Sequence, residues 1–343
     1  MTDALAGRSL SRATRDALDI GRGRLSEALR HLEPGFTVVT QPGPLAAVDK
    51  DQLARAGRIL EAVSLDKSAL ASLVAAAPRG PTVLGIGGGV VMDSAKWLAV
   101  ATASPLVLAP SILSVDACVT NTVAVREQGD VTYQGFIEAD RIVLDVDLVR
   151  TAPDRLNRAG VGDLLSIHTA LWDWAVGDHV GIARFDRAVA QRAAAVLESV
   201  EASADEIAQV TDEALRTVLV GYADINDMTV ICGHAQMEEG SEHYLAYFLE
   251  RLTGNSFVHG EVVTLGTVLM SRLQRNNPSL VEEVADRSGV EWRPAQIGLS
   301  RQDLTDALGG LKSYVEQAGL PFSVASRRNL DQAAIDELLD GVV

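Results

Sequence analysis

A short apolar run, Val83-Leu84-Gly85-Ile86, enters three consecutive glycines, Gly87-Gly88-Gly89, and leaves them through Val90-Val91-Met92-Asp93-Ser94-Ala95-Lys96. The pattern predicts a buried strand over 81–86, a tight turn, and a helix over 93–102. Glycines place no Cβ between the turn and an incoming anion. The free N–H groups at the start of the following helix, aided by its dipole, then suit a phosphate. The spacing is not GxGxxG, so this is no ordinary Rossmann fingerprint. Taken alone, the run is a moderate signal, and a plain βα turn that binds nothing is the alternative.

The chain has 343 residues, enough for two domains with a core in each. A formal net charge of -16 disfavours nucleic acid and anionic membrane surfaces as partners. Cys118 and Cys232 make no disulfide framework, so a reducing cytoplasm is the expected location. Met1 to Arg8 contain no apolar signal core. The most apolar stretch, 97–115, is interrupted by Pro105 and Pro110 and is not expected to span a membrane.

Short β-rich runs alternate with helical spacing in the first part. Strands are expected at 36–40, 106–109 and 141–144, and helices at 50–60 and 67–77. A hairpin is expected from 122–125 and 131–133, joined by Glu127-Gln128-Gly129-Asp130. Apolar strands separated by helices imply a parallel sheet covered on both faces. Beyond residue 153 strand signals almost vanish, and long helical patterns follow at 185–204, 205–222 and 261–274. The expected organisation is an α/β domain over 1–153 and an all-helical domain over 154–343, with a ligand cleft where the two meet.

Three segments of the helical part carry polar groups in apolar surroundings. Asp163 follows Gly160 and Gly162, His243 lies in Gly240-Ser241-Glu242-His243-Tyr244, and His259 opens the apolar run His259-Gly260-Glu261-Val262-Val263. Two imidazoles and a carboxylate suit a divalent metal with an open position. The residue types also suit satisfied core histidines and a helix N-cap aspartate.

Taken together, Gly87-Gly88-Gly89-Val90-Val91-Met92-Asp93, Ser114-Val115-Asp116-Ala117, Gly162-Asp163, Gly240-Ser241-Glu242-His243 and His259-Gly260-Glu261 resemble a known superfamily. It comprises the dehydroquinate synthases, glycerol dehydrogenases and iron-dependent alcohol dehydrogenases. Within it, Ala159 to Leu165 and Thr169-Ala170-Leu171-Trp172-Asp173-Trp174 resemble the glycerol-1-phosphate dehydrogenases in particular. The similarity runs from about residue 35 to 275 in the family's order. It implies a dehydroquinate synthase-like fold, with a nucleotide-binding α/β domain and a helical metal-binding domain.

The resemblance carries metal-ligand roles onto Asp163, His243 and His259. It places Gly87, Gly88 and Gly89 on the pyrophosphate of NAD or NADP, with Asp93, Ser111 and Ser114 along the cofactor. Asp116 resembles the aspartate that meets substrate hydroxyls. The implied activity is hydride transfer to or from a small polyol or polyol phosphate on a divalent metal, zinc first, with nickel or iron as alternatives. Relatives of this kind are often homo-oligomeric.

The chain also departs from the family pattern. Tyr247 stands where a second histidine is usual, one turn after His243 and therefore on the same helix face. A phenol can relay a proton, although it ordinarily titrates near ~10 against ~6.5 for an imidazole. Ala235-Gln236-Met237, followed by Glu238-Glu239, replaces a Ser-Arg-Pro stretch, which is unfavourable for a phosphate dianion. His168 follows Asp163 where polar or basic residues are usual. Gln41 replaces an aspartate that binds the ribose 2′-hydroxyl, which makes NADP admissible. A sugar-phosphate cyclase of the same fold is the alternative enzyme. It would need lysines around a phosphate, and only Lys50, Lys67, Lys96 and Lys312 occur. A non-catalytic nucleotide-binding relative is the other alternative, disfavoured by the joint presence of Asp163, His243 and His259.

Overall fold

In the computed structural model, which describes residues 2–127, 130–327 and 329–343, the strands all come from the first part of the chain. They are β1 (Leu18–Gly21), β2 (Thr37–Thr40), β3 (Arg58–Glu61), β4 (Val83–Gly87), β5 (Leu106–Pro110), β6 (Val123–Glu127), β7 (Asp130–Gln134) and β8 (Arg141–Asp145). Six of them form one sheet in the order β1-β8-β5-β4-β2-β3, and every neighbouring pair is parallel. β4 and β5 are buried along their whole length, as strands covered on both faces must be. β6 and β7 pair antiparallel as a separate ribbon. Gln128 and Gly129 of the expected hairpin turn lie outside the described residues.

The strand order decides where a ligand can approach. From β2 the chain crosses outward to β3 at the edge; from β4 it crosses the opposite way to β5. The reversal falls beside β4, and crevices at such switch points lie outside the C-terminal ends of the strands. The glycine turn sits there. Helix α1 (Gly89–Thr102) starts directly at the third glycine, four residues earlier than the helical spacing predicts. Its Val91, Met92, Ala95, Leu98 and Ala99 are all buried. Gly85 allows the close seating of α1, since a Cβ there would come within 2.8 Å of the Ala95 Cβ.

Two expected elements are corrected. The helical spacing over 50–60 yields only a short helix, Lys50–Leu53, and then β3. β3 gains its hydrogen bonds by pairing with β2 at the sheet edge, so tertiary pairing overrides a weak local preference there. The helix expected over 205–222 breaks after Ala208, where Val210 takes a left-handed φ of 50°. A new helix then runs from Asp212 to Cys232.

Two compact units emerge: Met1–Asn157 with Tyr222–His234, and Arg158–Gly221 with Ala235–Val343. Side chains of the Tyr222–His234 segment explain its membership of the sheet-bearing unit. Asp227 Oδ1 accepts the Thr14 N–H at 2.9 Å. Asn226 Nδ2 donates to Thr14 Oγ1 at 2.8 Å and to Asn121 Oδ1 at 2.7 Å. Among the described residues the regular elements of the second unit are all helices. The elements that matter there are α2 (Val161–Leu165), α3 (Ile167–His179), α4 (Ser241–Thr253) and α5 (His259–Gln274). No helix among the described residues is long and apolar enough to cross a membrane.

One buried ion pair braces the first unit. Lys96, 1% exposed, places its Nζ 2.7 Å from Asp93 Oδ1. The same ammonium donates to Thr122 O at 2.7 Å, Thr120 Oγ1 at 2.9 Å and Thr120 O at 3.2 Å. It thereby ties α1 to the chain entering β6. Burial pushes the Asp93 carboxyl up, and Lys96 pulls against that shift. Removing Lys96 alone leaves a buried carboxylate without its cation, a loss of about 3–5 kcal/mol. Lys96→Met should therefore lower the urea midpoint sharply, whereas Asp93→Leu with Lys96→Met should recover a substantial part of the stability.

Candidate functional site

Asp163, His243 and His259 converge in the second unit. One ligand-type atom from each lies within 4.8 Å of the other two. Asp163 Oδ1 is 3.3 Å from His259 Nε2 and 4.0 Å from His243 Nε2. Asp163 and His243 are buried, and His259 is partly open. Asp163 is the third residue of α2, whose N-cap position is Gly160, so the aspartate is not a helix cap.

Glycines bring these helices together. A Cβ on Gly162 would lie 2.1 Å from the Gly260 carbonyl oxygen, a distance no side chain survives. The backbones of α2 and α5 therefore touch at Gly162 and Gly260, and the next residue of α2 and the preceding one of α5 are Asp163 and His259. A second close approach joins α5 to α4, because a Cβ on Gly266 would lie 2.5 Å from the Glu242 carbonyl oxygen. His243 follows Glu242 in the chain.

The carboxylates around the imidazoles set their electrostatics. His243 Nδ1 lies 3.0 Å from Glu242 Oε1. A carboxylate accepts but does not donate, so an N–H belongs on Nδ1, and Nε2 is the nitrogen that faces Asp163 and His259. Burial works against protonating His243. The hydrogen bond to Glu242 and the charges of Glu242, Glu239 and Asp163 outweigh it and lift the imidazole to about 9. Two imidazole nitrogens and a carboxylate oxygen, with His259 partly exposed, are a donor set that suits a divalent metal ion.

Tyr247 adjoins the cluster. Its ring centroid is 6.0 Å from that of His243 and 6.4 Å from that of His259, nearly parallel to the latter at 22°. Its hydroxyl donates to Glu239 Oε1 at 2.7 Å. Glu238 is buried; its backbone carbonyl accepts from Ser166 Oγ at 2.7 Å, and the same hydroxyl reaches the Asp163 carbonyl at 2.7 Å. His168 is a structural residue, with Nε2 2.6 Å from Asn276 O and its own carbonyl accepting the Asn276 amide at 3.1 Å.

In the first unit, the glycine turn meets the strand ends. Ser111 N donates to Gly87 O at 2.8 Å. No side chain caps α1 at Gly88, which leaves the opening amides of this 14-residue helix to other partners. Gly87 is required by packing, because a Cβ there would lie 2.4 Å from the stiff Val91 side chain. At Gly88 a Cβ would meet only the flexible tip of Ile112 at 2.8 Å, and at Gly89 it would meet Val115 at 3.0 Å. Segment 112–115 thus lies over the turn, with Ser114 within it and Asp116 opening a short 3-10 helix directly after. Asp93, expected along the cofactor, spends its carboxylate on Lys96. Gln41 Nε2 donates to Ala62 O at 3.1 Å. Beside Ala62, a cavity of about 370 Å³ opens at the end of β3, lined among others by Val63, Ser64, Leu73 and Ser94.

Sequence reasoning assigned no role to Glu242, Thr169 or Asp173, although all three are buried beside the cluster. All three stand in segments that carry the family resemblance, and their own signal was that of carboxylates and a hydroxyl inside apolar helices. Burial raises the Asp173 carboxyl to about 7, with Glu242 adding to the shift.

The chain is similar to the glycerol-1-phosphate dehydrogenase [NAD(P)+] of Aeropyrum pernix, 28% identical over 230 residues that cover 67% of this chain and 65% of that protein. The match thus spans just under two-thirds of that relative's length. The protein of the same name from Pyrobaculum arsenaticum is 31% identical over 232 residues, covering 66% of this chain and 68% of the relative. Among solved structures, the iron-containing alcohol dehydrogenase of Corynebacterium glutamicum shares the fold, with a TM-score of 0.70 at 14% identity over 95% of this chain and 94% of that one. No protein-family profile matches the chain.

Two outcomes follow from this geometry. Gly162→Ala should force α2 off α5 and lower thermal stability by more than the ~1–3 kcal/mol usual for overpacking, because the obstacle is backbone. The pH dependence has a definite sign. A folded-state value for His243 of about 9 lies above the ordinary ~6.5 of an unfolded histidine. Its stabilisation is complete below about 6.5 and is lost as pH rises through about 9. Thermal melts in chelator should accordingly show a melting temperature that falls over this window, and His243→Asn should flatten the fall.

Proposed function

This chain belongs to the glycerol-1-phosphate dehydrogenase family, and we propose that it is a metal- and NAD(P)-dependent alcohol dehydrogenase acting on a small polyol or polyol phosphate. The observation that carries the reading is the convergence of Asp163, His243 and His259, with ligand atoms within 4.8 Å of one another. When bound there, a divalent ion supplies Lewis acidity to an alcohol or ketone oxygen, and a nicotinamide cofactor supplies or accepts the hydride.

The chain's own residues do the rest. Gly88 and Gly89, with the first amides of α1, bind the cofactor pyrophosphate through backbone N–H groups and the helix dipole. Ser111 and Ser114 orient the cofactor beside that turn. Asp116 receives substrate hydroxyls. Gln41 carries no charge to repel a 2′-phosphate, so both NAD and NADP are admissible. Tyr247 carries the proton exchanged at the substrate hydroxyl and passes it to Glu239, to which its hydroxyl is already hydrogen-bonded. Zinc is the first expectation for the ion, ahead of nickel and iron.

The test separates the two halves of the machinery. Asp163→Asn and His259→Ala should abolish turnover, by about 10²-fold or more, and leave NAD(P)H binding by fluorescence nearly intact. Gly88→Val should weaken cofactor binding first. The assay is net NAD(P)H formation or consumption with glycerol 1-phosphate, dihydroxyacetone phosphate, glycerol and larger polyols, each with both cofactors. Full activity of Asp163→Asn without metal would overturn the mechanism, and metal-stimulated product without net cofactor change would favour a cyclase.

A further inference from the structure

We propose that Glu242, held by Thr169, positions His243 and sets the metal affinity of the centre without touching the metal itself. This inference rests on the metal-centre reading above. Glu242 is fully buried, and both of its oxygens are committed. Oε1 faces His243 Nδ1 at 3.0 Å and accepts the Gly240 N–H at 2.5 Å. Oε2 accepts the Thr169 hydroxyl at 2.7 Å. A hydrogen-bonded line thus runs from α3, through Glu242 at the start of α4, to the imidazole.

An imidazole can turn about its Cβ–Cγ bond and can carry its proton on either nitrogen. Glu242 removes both freedoms. Only one ring orientation puts an N–H against Oε1, and that orientation leaves the Nε2 lone pair towards Asp163 and His259. The carboxylate also makes the far nitrogen a stronger donor and offsets part of the charge of a bound cation. Glu242 cannot drift from this position, because Gly266 of α5 lies against its carbonyl with no space for a Cβ. Asp173, the other buried carboxylate nearby, cannot take over the task. Its oxygens accept from Ser241 N at 2.9 Å, Ser241 Oγ at 2.5 Å and Val324 N at 2.7 Å, which anchors the start of α4 instead.

Zinc affinity, measured by competition with a chromogenic chelator at pH 7.5, tests the idea on the full chain. Glu242→Gln keeps the shape and an acceptor for Nδ1 but removes the charge. It should weaken zinc binding by about 10–100-fold, and ¹⁵N resonances of the His243 ring in metal-free protein above about pH 10, where the imidazole is neutral, should report a mixture of tautomers in place of Nδ1–H alone. Thr169→Val should weaken binding by a few-fold. A folded Glu242→Gln protein with wild-type zinc affinity and a single Nδ1–H tautomer would overturn the proposal. If Glu242→Gln does not fold, unchanged affinity in Thr169→Val overturns it equally. Wild-type protein that binds no more zinc than His259→Ala would instead remove the metal centre itself. That failure is separable because it appears before any change at Glu242.

Discussion

The contact between the backbones at Gly162 and Gly260 is the constraint on which the cluster of Asp163, His243 and His259 depends. An aspartate in a five-residue helix and a histidine at the start of a sixteen-residue one become neighbours only because nothing but hydrogen projects between them. Gly266 repeats the device two turns along α5, where it receives the backbone of α4 at Glu242. One notch lies on α2 at Gly162 and the other on α5 at Gly266, and together they hold α2 and α4 against the helix that carries His259. Close packing of this kind is bistable, not elastic, so the geometry is either present or lost.

Around that contact the unit tolerates an unusual density of buried polar groups. Asp163, Asp173, Ser166, Thr169, Ser241, Glu242 and His243 all lie at or below 5% exposure. Burying them is costly unless each finds partners. Ser166 spans the carbonyls of Asp163 and Glu238, and Asp173 fastens Ser241 and Val324. The outcome is a network aimed at one imidazole. The excess of carboxylates over cations there explains why His243 holds its proton so tightly when no metal competes for it.

In the sheet-bearing unit the glycines divide their labour. Gly85 and Gly87 answer to packing, one against Ala95 and the other against Val91. Gly88 and Gly89 are left to present backbone at the switch point of the sheet. The absence of a Cβ thus serves the fold at Gly85 and Gly87, and at Gly88 and Gly89 it admits the side chains of Ile112 and Val115 close to the turn. The buried Asp93–Lys96 pair stiffens the helix that follows, which keeps its opening amides in place.

Much of this was legible in the residues. The alternation of short apolar runs with helical spacing determined a parallel sheet, and the loss of strand signals after residue 153 determined a helical partner, because period and burial are local properties. Asp163, His243 and His259 were legible as possible ligand types, but core histidines and a helix cap suited the same residues, and only the family resemblance joined the three into one set. What the sequence could not determine is what each side chain faces. β3 appeared as helix because its stability comes from pairing with β2, and the segment around Asn226 joins the first unit through bonds to Thr14 and Asn121, more than a hundred residues away. The partners of His243, and the glycine contacts that set its distance from Asp163 and His259, are likewise long-range. Local pattern records which residues avoid water. Only the folded chain decides which of them meet.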